Sequence, residues 1–341
     1  MNKLKMKQIL HVILFTFLAM CIVVGLGALF IPKGNLKNDG LKFSRARGFY
    51  GEPKNSIQVL GIGNSDLYYA INPLWMYQSY GFTSFMAGEP LQNMIGANDI
   101  LDEALKNQKP KVVVLETSEF FLRKGDFELD NAFSSFLKKY FPVLEYHMRW
   151  KTLHKKDFTL SQKRTYKPTV MKGFKYSLRR GKVLNKPYMN QSLYTDSMDP
   201  IDSYYLDKIM NTCKKKGIKV VFTTMPSSAD WNMKRHDFSQ KMANKYHVSY
   251  YDFNLNKYQK QIGFNMETDF KDKGNHMNLL GARKVTRWLG DYLSTTYKLK
   301  NVSNDPKYAS WNKGVKIFHQ RLLKKVLQGD SDIYEQIIEN E

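Results

Sequence analysis

The 341-residue sequence predicts an α/β fold, a three-layer α/β/α sandwich built on a five-stranded parallel sheet, with one transmembrane helix in front of it. Between residues 56 and 300, short apolar runs rich in β-branched residues alternate with segments of helical periodicity, which is typical of a doubly wound parallel sheet. Residues 9–31 are apolar apart from His11 and Thr16, and about 20 such residues suffice to cross a bilayer.

The N-terminal segment is expected to stay attached to the protein. Lys3, Lys5 and Lys7 precede the apolar run, which favours a cytoplasmic basic tail at residues 1–8 and an exported remainder. A cleaved signal peptide is the alternative, but its apolar core usually has about 7–15 residues and a small-residue cleavage site follows it. We therefore expect a single-pass membrane protein with its domain outside the cytoplasm, after a polar linker at 32–55.

The elements of the sandwich follow from the alternation of the two periodicities. Strands are bounded by Gly, Pro, Asn and Asp, and helices by amphipathic repeats. The predicted strands are residues 57–62, 82–87, 111–117, 219–226 and 248–253. One predicted helix begins near Asn72, and four others cover residues 91–108, 201–216, 229–246 and 278–299.

Ser65 stands at the end of the first strand, in the turn before a helix. Open parallel sheets bind their ligands at this edge, and Gly61 and Gly63 let the backbone turn sharply and come close to a substrate. The helix N-terminus also offers amide groups to an anion. The sequence is equally compatible with a serine that only caps the helix.

A histidine with nearby carboxylates lies at the other end of the domain. His276 is on a loop just before the last helix of the domain, and Asp269 and Asp272 lie close upstream. Serine is a poor nucleophile unless a base lies within hydrogen-bond distance and a third group orients that base. A parallel sheet can bring such distant residues together at one edge.

This chain order resembles the SGNH/GDSL hydrolase superfamily over about residues 55–295. The first block reads Gly63-Asn64-Ser65-Asp66-Leu67 and the last runs from Asp272 to His276, followed by Asn278 and Gly281. With the N-terminal anchor, the pattern looks most like membrane-tethered extracytoplasmic members, such as the DltD proteins of teichoic acid D-alanylation and the alginate O-acetylation proteins. The resemblance implies Ser65 as nucleophile, His276 as base, Asp272 or Asp269 as its partner, and oxyanion or substrate contacts from Gly88 and Asn64.

The sequence departs from the superfamily pattern at two places. The last block usually has its aspartate three residues before the histidine, where this chain has Lys273, so either the loop bulges by one residue or Asp269 or Asp272 reaches the imidazole differently. The usual third block, Gly-x-Asn-Asp, is absent from the strand end that reads Val113 to Glu119. The sequence therefore does not identify an oxyanion donor from that block.

Residues 118–198 are predicted to be an insertion that covers the Ser65 edge. The chain has a formal net charge of +22, and residues 123–186 contribute +12 of it from 17 basic and 5 acidic side chains. Such a patch attracts a polyanion or an anionic membrane, and Arg149 among aromatic residues suits contacts to phosphate and sugar. A merely solvated basic surface and ordinary packing are the alternatives. The interleaved aromatic residues are Tyr140, Phe141, Tyr146, Trp150, Tyr166, Phe174 and Tyr176.

The remaining features predict little further chemistry. Cys21 lies in the membrane segment and Cys213 in a predicted helix, so no disulfide is expected. No Cys/His cluster has the spacing of a metal site, and we predict no cofactor. Residues 301–341 form a helical extension with an acidic tail.

The resemblance implies an extracytoplasmic serine acyltransferase or esterase acting on acetyl or D-alanyl esters of an anionic cell-envelope polymer. Such members often work beside a membrane-bound O-acyltransferase, while nucleic acid is not an expected partner of an exported domain. The alternative is a catalytically degenerate tether that binds polymer or partner through its basic face. The sequence does not separate transfer from hydrolysis.

Overall fold

The computed structural model describes residues 3–36, 39–122, 128–158, 165–183, 188–190, 197–229, 231–329 and 333. The chain forms two compact units. The first comprises Met1–Ser44 and Leu129–Lys167, and the second comprises Arg45–Glu128 and Pro168–Glu341. This division differs from the predicted boundaries, because the predicted insertion 118–198 is shared between both units.

The first unit is built on helix α1, Lys3–Phe30, whose apolar side chains are largely exposed. By length and composition α1 is the one helix in the described part of the chain that could cross a membrane. Helices α5, Glu128–Tyr140, and α6, Val143–Tyr146, complete the unit with two short 3₁₀ turns, His147–Thr152 and Lys155–Phe158.

The second unit contains the predicted parallel sheet, and this prediction is confirmed. Its five strands are all parallel and lie in the order β2-β1-β3-β4-β5. This order places β1, which precedes Ser65, between β2 and β3. The strands are β1 Val59–Gly63, β2 Ser84–Gly88, β3 Val112–Glu116, β4 Lys219–Thr224 and β5 Ser249–Asp252.

Helices connect the strands much as the periodicity predicts. The helix expected after Ser65 is the short α2, and the helix predicted to begin near Asn72 is α3, which the Asn72 side chain caps ahead of Pro73. The structure adds α9, which the sequence analysis missed. The helices are α2 Ser65–Ala70, α3 Pro73–Tyr80, α4 Met94–Ala104, α7 Pro200–Lys215, α8 Met233–Tyr246, α9 Asn256–Ile262, α10 Leu279–Tyr297 and α11 Ala309–Leu327.

Alternate strand residues pack into two separate apolar layers, as the period of two requires. Leu60 and Ile62 belong to the layer formed with α4, α7 and α11. Val59 belongs to the opposite layer, formed with α2 and α10. The C-terminal extension is thus part of this unit, since Trp311 and Phe318 of α11 are fully buried. Of the predicted acidic tail, only Gly329 and Ile333 lie among the described residues.

Residues 168–183, which we call the strap, run across the carboxyl edge of the sheet. The strap bonds to β2 (Met86 N to Lys172 O, 2.9 Å), to α2 (Lys175 N to Tyr68 O, 2.8 Å) and to the start of α10 (Leu279 N to Ser177 O, 2.9 Å). Of the predicted insertion, this part lies beside Ser65, whereas 129–167 belong to the first unit. Residues 123–127, 159–164, 184–187 and 191–196 lie outside the described residues.

A buried ion pair holds the strap in place. The Lys172 ammonium is fully buried and lies 2.9 Å from both carboxylate oxygens of Glu52 and 3.0 Å from Ser310 Oγ. It also lies 4.2 Å from the centre of the Trp311 ring. Three segments that are far apart in sequence therefore meet at one charge.

Breaking this pair on one side should destabilise the second unit strongly. Lys172→Met leaves the Glu52 carboxylate buried without its cation, which typically costs about 3–5 kcal/mol of unfolding free energy. Urea unfolding of the detergent-solubilised protein, followed by circular dichroism, measures this loss. The double variant Glu52→Gln/Lys172→Met should recover part of it, and Lys54→Met, an exposed control, should change stability by less than about 0.5 kcal/mol. A single variant as stable as the control would contradict the structural role.

Candidate active site

Ser65 is the first residue of α2 and is held there by the residue before it. The Asn64 side chain caps the helix by accepting from Asp66 N at 2.8 Å. Gly63 leaves no room for a side chain, since an added Cβ would lie 2.6 Å from Leu67 Cβ and 2.8 Å from Glu116 Cβ. The turn is therefore tight, and it presents Ser65 at the carboxyl edge of β1.

Gly88 ends β2 beside this turn, where the sequence analysis places an oxyanion donor. Gly63 and Gly88 are register partners, and a Cβ on Gly88 would lie 2.5 Å from the Gly63 carbonyl oxygen. The Gly88 carbonyl accepts from Arg45 Nη2 at 2.9 Å. The end of β2 can lie this close to the Gly63 carbonyl only because Gly88 has no side chain.

Asp272 organises the loop that carries His276. Its Oδ1 accepts from the backbone N–H groups of Asn275 at 2.9 Å, His276 at 3.0 Å and Gly274 at 3.3 Å. Its Oδ2 accepts from His276 Nδ1 at 2.6 Å. One carboxylate therefore folds the loop and holds the ring, and a spacing of four residues fits this geometry.

Asp269, the other candidate carboxylate, is used elsewhere. It is fully buried, and its Oδ2 accepts from Asn265 N at 2.8 Å and from Lys284 Nζ at 2.7 Å. Its Oδ1 accepts from Thr268 Oγ1 at 2.9 Å. Of the two alternatives that the sequence left open, the structure brings Asp272 and not Asp269 to the imidazole.

Ser65, His276 and Asp272 form a continuous hydrogen-bonded series. Ser65 Oγ lies 2.8 Å from His276 Nε2, although 211 positions separate them in the chain. Burial tends to raise the pKa of Asp272, but hydrogen bonds from the His276 ring and from backbone N–H groups outweigh it and hold that pKa below its usual range. An ionised Asp272 accepts from Nδ1–H, which leaves Nε2 to accept from the serine hydroxyl.

Two lysines and a tyrosine flank the imidazole. The Tyr69 ring lies 5.2 Å from the His276 ring, centre to centre. Lys271 Nζ is 4.4 Å and Lys175 Nζ 5.3 Å from the centre of the Tyr69 ring, and Lys271 Nζ is 3.4 Å from Asp272 Oδ2. The rim of the site is therefore cationic.

A second polar network lies behind Ser65, and the sequence analysis missed it. Asn64 Nδ2 donates to Ser118 Oγ at 2.7 Å, and Ser118 also bonds to the carboxyl of Glu116, the last residue of β3. Ser118 Oγ lies 3.5 Å from Asp66 Oδ2. Glu116 and Ser118 lie at the end of β3, where the third superfamily block is absent. A glutamate at the end of an apolar strand was the sequence signal that could have revealed this network.

Arg45 is another residue that sequence reasoning did not identify. Its guanidinium stacks 3.6 Å from the centre of the Tyr68 ring and donates to the carbonyl oxygens of Gly88 and, at 2.6 Å, Gly173. It thus joins the ends of β2, the strap and α2. The strap also touches the Asp272 loop, because a Cβ on Gly181 would lie 2.2 Å from Asp272 O.

The remaining predicted site residues have other environments. Both polar side-chain atoms of Asn64 have partners within the protein. Arg149 is buried in the first unit, where it donates to Phe30 O at 2.5 Å and to Asp157 Oδ1 at 3.0 Å. A substrate contact by Arg149 stays a prediction. Among the described residues, no group of three or more His, Cys, Asp or Glu side chains could hold a metal ion.

Glu116 makes stability depend on pH in a defined direction. Burial, with the negative charge of Asp66, raises its pKa from 4.5 to about 8 against the hydrogen bonds from Ser118. Between those values the folded protein holds a proton that the unfolded chain has lost, so Glu116 lowers the free energy of unfolding as the pH rises through this window. Glu116→Gln does not titrate and keeps a hydrogen-bond donor for Ser118.

Thermal unfolding of Glu116→Gln and the unmodified protein across this pH window tests the assignment. The Tm of the variant relative to the unmodified protein should rise between about pH 4.5 and pH 8 and then level off. Glu267→Gln, at an exposed site, should show no such trend. Parallel Tm curves for Glu116→Gln and the unmodified protein would show that Glu116 is ionised throughout.

Comparison with known proteins gives one sequence match that the structure does not support. A family model described as C-5 cytosine-specific DNA methylase matches residues 101–321. This match covers more than half of the chain, which on its own would indicate membership of that family. The matched segment excludes β1, β2 and Ser65, and thus divides both the sheet and the site. Its one cysteine, Cys213, is buried, which raises its thiol pKa to about 12 and leaves it unreactive. No curated protein matches the chain.

Several solved structures resemble the chain at low identity. A lipase/acylhydrolase from Enterococcus faecalis is 10% identical, with 72% of this chain and 98% of that one covered and a TM-score of 0.37. A family 3 carbohydrate esterase from Clostridium thermocellum is 11% identical (71% and 97% covered, TM-score 0.36), and a GDSL-like lipase from Bacteroides thetaiotaomicron 9% (70% and 88%, TM-score 0.35). In this chain a serine, a histidine and a carboxylate form a hydrogen-bonded series, which is the arrangement that the sequence resemblance to the SGNH/GDSL hydrolases implies.

Proposed function

We propose that this protein is a membrane-anchored, extracytoplasmic serine acyltransferase or esterase that acts on acyl esters of an anionic cell-envelope polymer. The observation that carries the proposal is the series Ser65–His276–Asp272, with bonds of 2.8 and 2.6 Å at the carboxyl edge of the sheet. Nucleophilic catalysis by serine requires such a base and orienting group.

The reaction proceeds through an ester on Ser65. Ser65 Oγ attacks the acyl carbonyl carbon while its proton passes to His276 Nε2, and Asp272 stabilises the imidazolium. The tetrahedral intermediate expels the leaving alkoxide, which takes the proton from Nε2. Water or a sugar hydroxyl then attacks the acyl-enzyme in the same way, giving hydrolysis or transfer.

Backbone amides are the proposed oxyanion donors. The N–H of Ser65 lies at the N-terminus of α2, where the first N–H groups have no partner within the helix, and Gly88 N–H is the second donor. Loss of one such donor typically costs about 2.7–4 kcal/mol of transition-state stabilisation.

The charge around the site supports an anionic substrate. Lys271 and Lys175 lie at the rim, and Arg179, Arg180 and Lys182 are exposed on the strap. With a total charge of +22 and an apolar helix α1 long enough to span a bilayer, these cations suit a polymer rich in phosphate or carboxylate at a cell surface. A membrane-bound O-acyltransferase as acyl donor is carried over from the resemblance.

Mass measurement after incubation with an activated acyl ester tests the reaction. The unmodified protein should gain one acyl group, and Ser65→Ala should gain none. Asp272→Asn removes the charge that orients His276 and should lower kcat by about 10⁴-fold, as in other serine triads. Asp269→Asn is the matched control: it should lower stability but not acylation of the fraction that remains folded.

The catalytically degenerate tether gives the opposite result. If the folded protein gains no Ser65-dependent adduct from any of several activated esters, and Ser65→Ala cells keep unchanged envelope esters while deletion cells do not, the acyl-transfer proposal fails. A polymer-binding role would then remain.

Polymer binding has its own prediction. Reversing Arg179, Arg180 and Lys182 to Glu should weaken binding to a teichoic-type polymer while leaving turnover of a small neutral ester nearly unchanged, because the charges act on the polymer and not on the ester carbonyl. Binding by the unmodified protein should also weaken steeply with salt, since the Debye length is only about 8 Å at physiological ionic strength. Sedimentation with labelled polymer measures both effects. Unchanged binding would show that the strap cations are only a solvated surface.

A further inference from the structure

His276 has a second carboxylate close to the nitrogen that serves Ser65. Asp66 Oδ1 lies 4.0 Å from His276 Nε2, on the other side of the ring from Asp272. The Asp66 side chain is only partly exposed, at 18%. A small rotation would let Asp66 form a direct ion pair with Nε2–H of the protonated imidazole. Ser65 would then lose its base.

Ser118 occupies the position that restrains Asp66. A serine hydroxyl has one hydrogen to donate and two lone pairs to accept. Ser118 Oγ accepts from Asn64 Nδ2 at 2.7 Å and bonds to the Glu116 carboxyl, and its third neighbour is Asp66 Oδ2 at 3.5 Å. When the Glu116 carboxyl is protonated and donates, both lone pairs of Ser118 are used, and its hydrogen is directed at Asp66.

We propose that Ser118, oriented by Asn64 and Glu116, is a positioning residue that holds Asp66 away from His276 Nε2 and so keeps that nitrogen available to Ser65. This inference rests on the proposed acyl-transfer function. The raised pKa of Glu116 supports it, because the acid form is the one that turns the Ser118 hydrogen towards Asp66.

Of the residues that the structure describes, other charged and titratable groups near His276 lie on its own loop, on α2 and on the strap. Asp272 accepts from Nδ1, Lys271 lies beside Asp272, and the Tyr69 ring packs against the imidazole with Lys175 on its rim. Ser118 bonds to none of these groups, since its partners are Asn64, Glu116 and Asp66. A shift in the titration of His276 in a Ser118 variant therefore comes from Asp66 or from Glu116, and Asp66→Asn distinguishes the two.

The test is a double-mutant cycle of Ser118→Ala and Asp66→Asn. A carboxylate within about 4–6 Å favours the charged form of an imidazole, and direct contact strengthens this effect. In Ser118→Ala the acid limb of the kcat/KM profile for a small activated ester should therefore move to higher pH, which lowers kcat/KM severalfold on that limb. Adding Asp66→Asn should restore the profile, a rescue that general loss of packing would not show.

An NMR titration of the His276 imidazole, in a Ser65→Ala background and with histidine-labelled protein, gives the same cycle without turnover. Its midpoint should rise in Ser118→Ala and return in the double variant. If the midpoint behaves so but no ester is turned over, the acyl-transfer function fails while the positioning inference stands. An unmoved midpoint, or one that Asp66→Asn does not restore, overturns the inference.

Discussion

The site depends on the two oxygens of one carboxylate. Asp272 Oδ1 gathers three backbone N–H groups of the loop, while Oδ2 holds the imidazole of His276. The same side chain therefore determines both the path of the loop and the orientation of the ring. The partly buried carboxylate stays ionised since its hydrogen bonds outweigh the cost of burial.

The rest of the unit supplies the frame for this loop. The strap reaches the Asp272 loop through Gly181, whose N–H bonds to Phe270 O at 2.8 Å, and it is tied at its other end by the buried Lys172–Glu52 pair. Arg45 bridges the strap to Gly88. Segments from the start, middle and end of the chain thus converge on one edge of the sheet, so a change far from Ser65 in sequence can move the site.

The local environment also separates three acidic side chains into different roles. Asp272 is ionised and orients His276, Asp269 is buried against Lys284, and Glu116 holds a proton near neutral pH because burial and the charge of Asp66 disfavour a second anion. Sequence spacing alone did not distinguish Asp272 from Asp269. The difference lies in which hydrogen-bond donors surround each carboxylate after the chain has folded.

The sequence by itself determined the parallel α/β fold, the apolar N-terminal helix and the meeting of Ser65 with a histidine, because periodicity and the end blocks depend only on local residue patterns. Tertiary structure decided the partner of that histidine, the division of the predicted insertion between two units, and the network of Glu116, Ser118 and Asp66. These depend on burial and on contacts between segments that are distant in the chain, which no local pattern records.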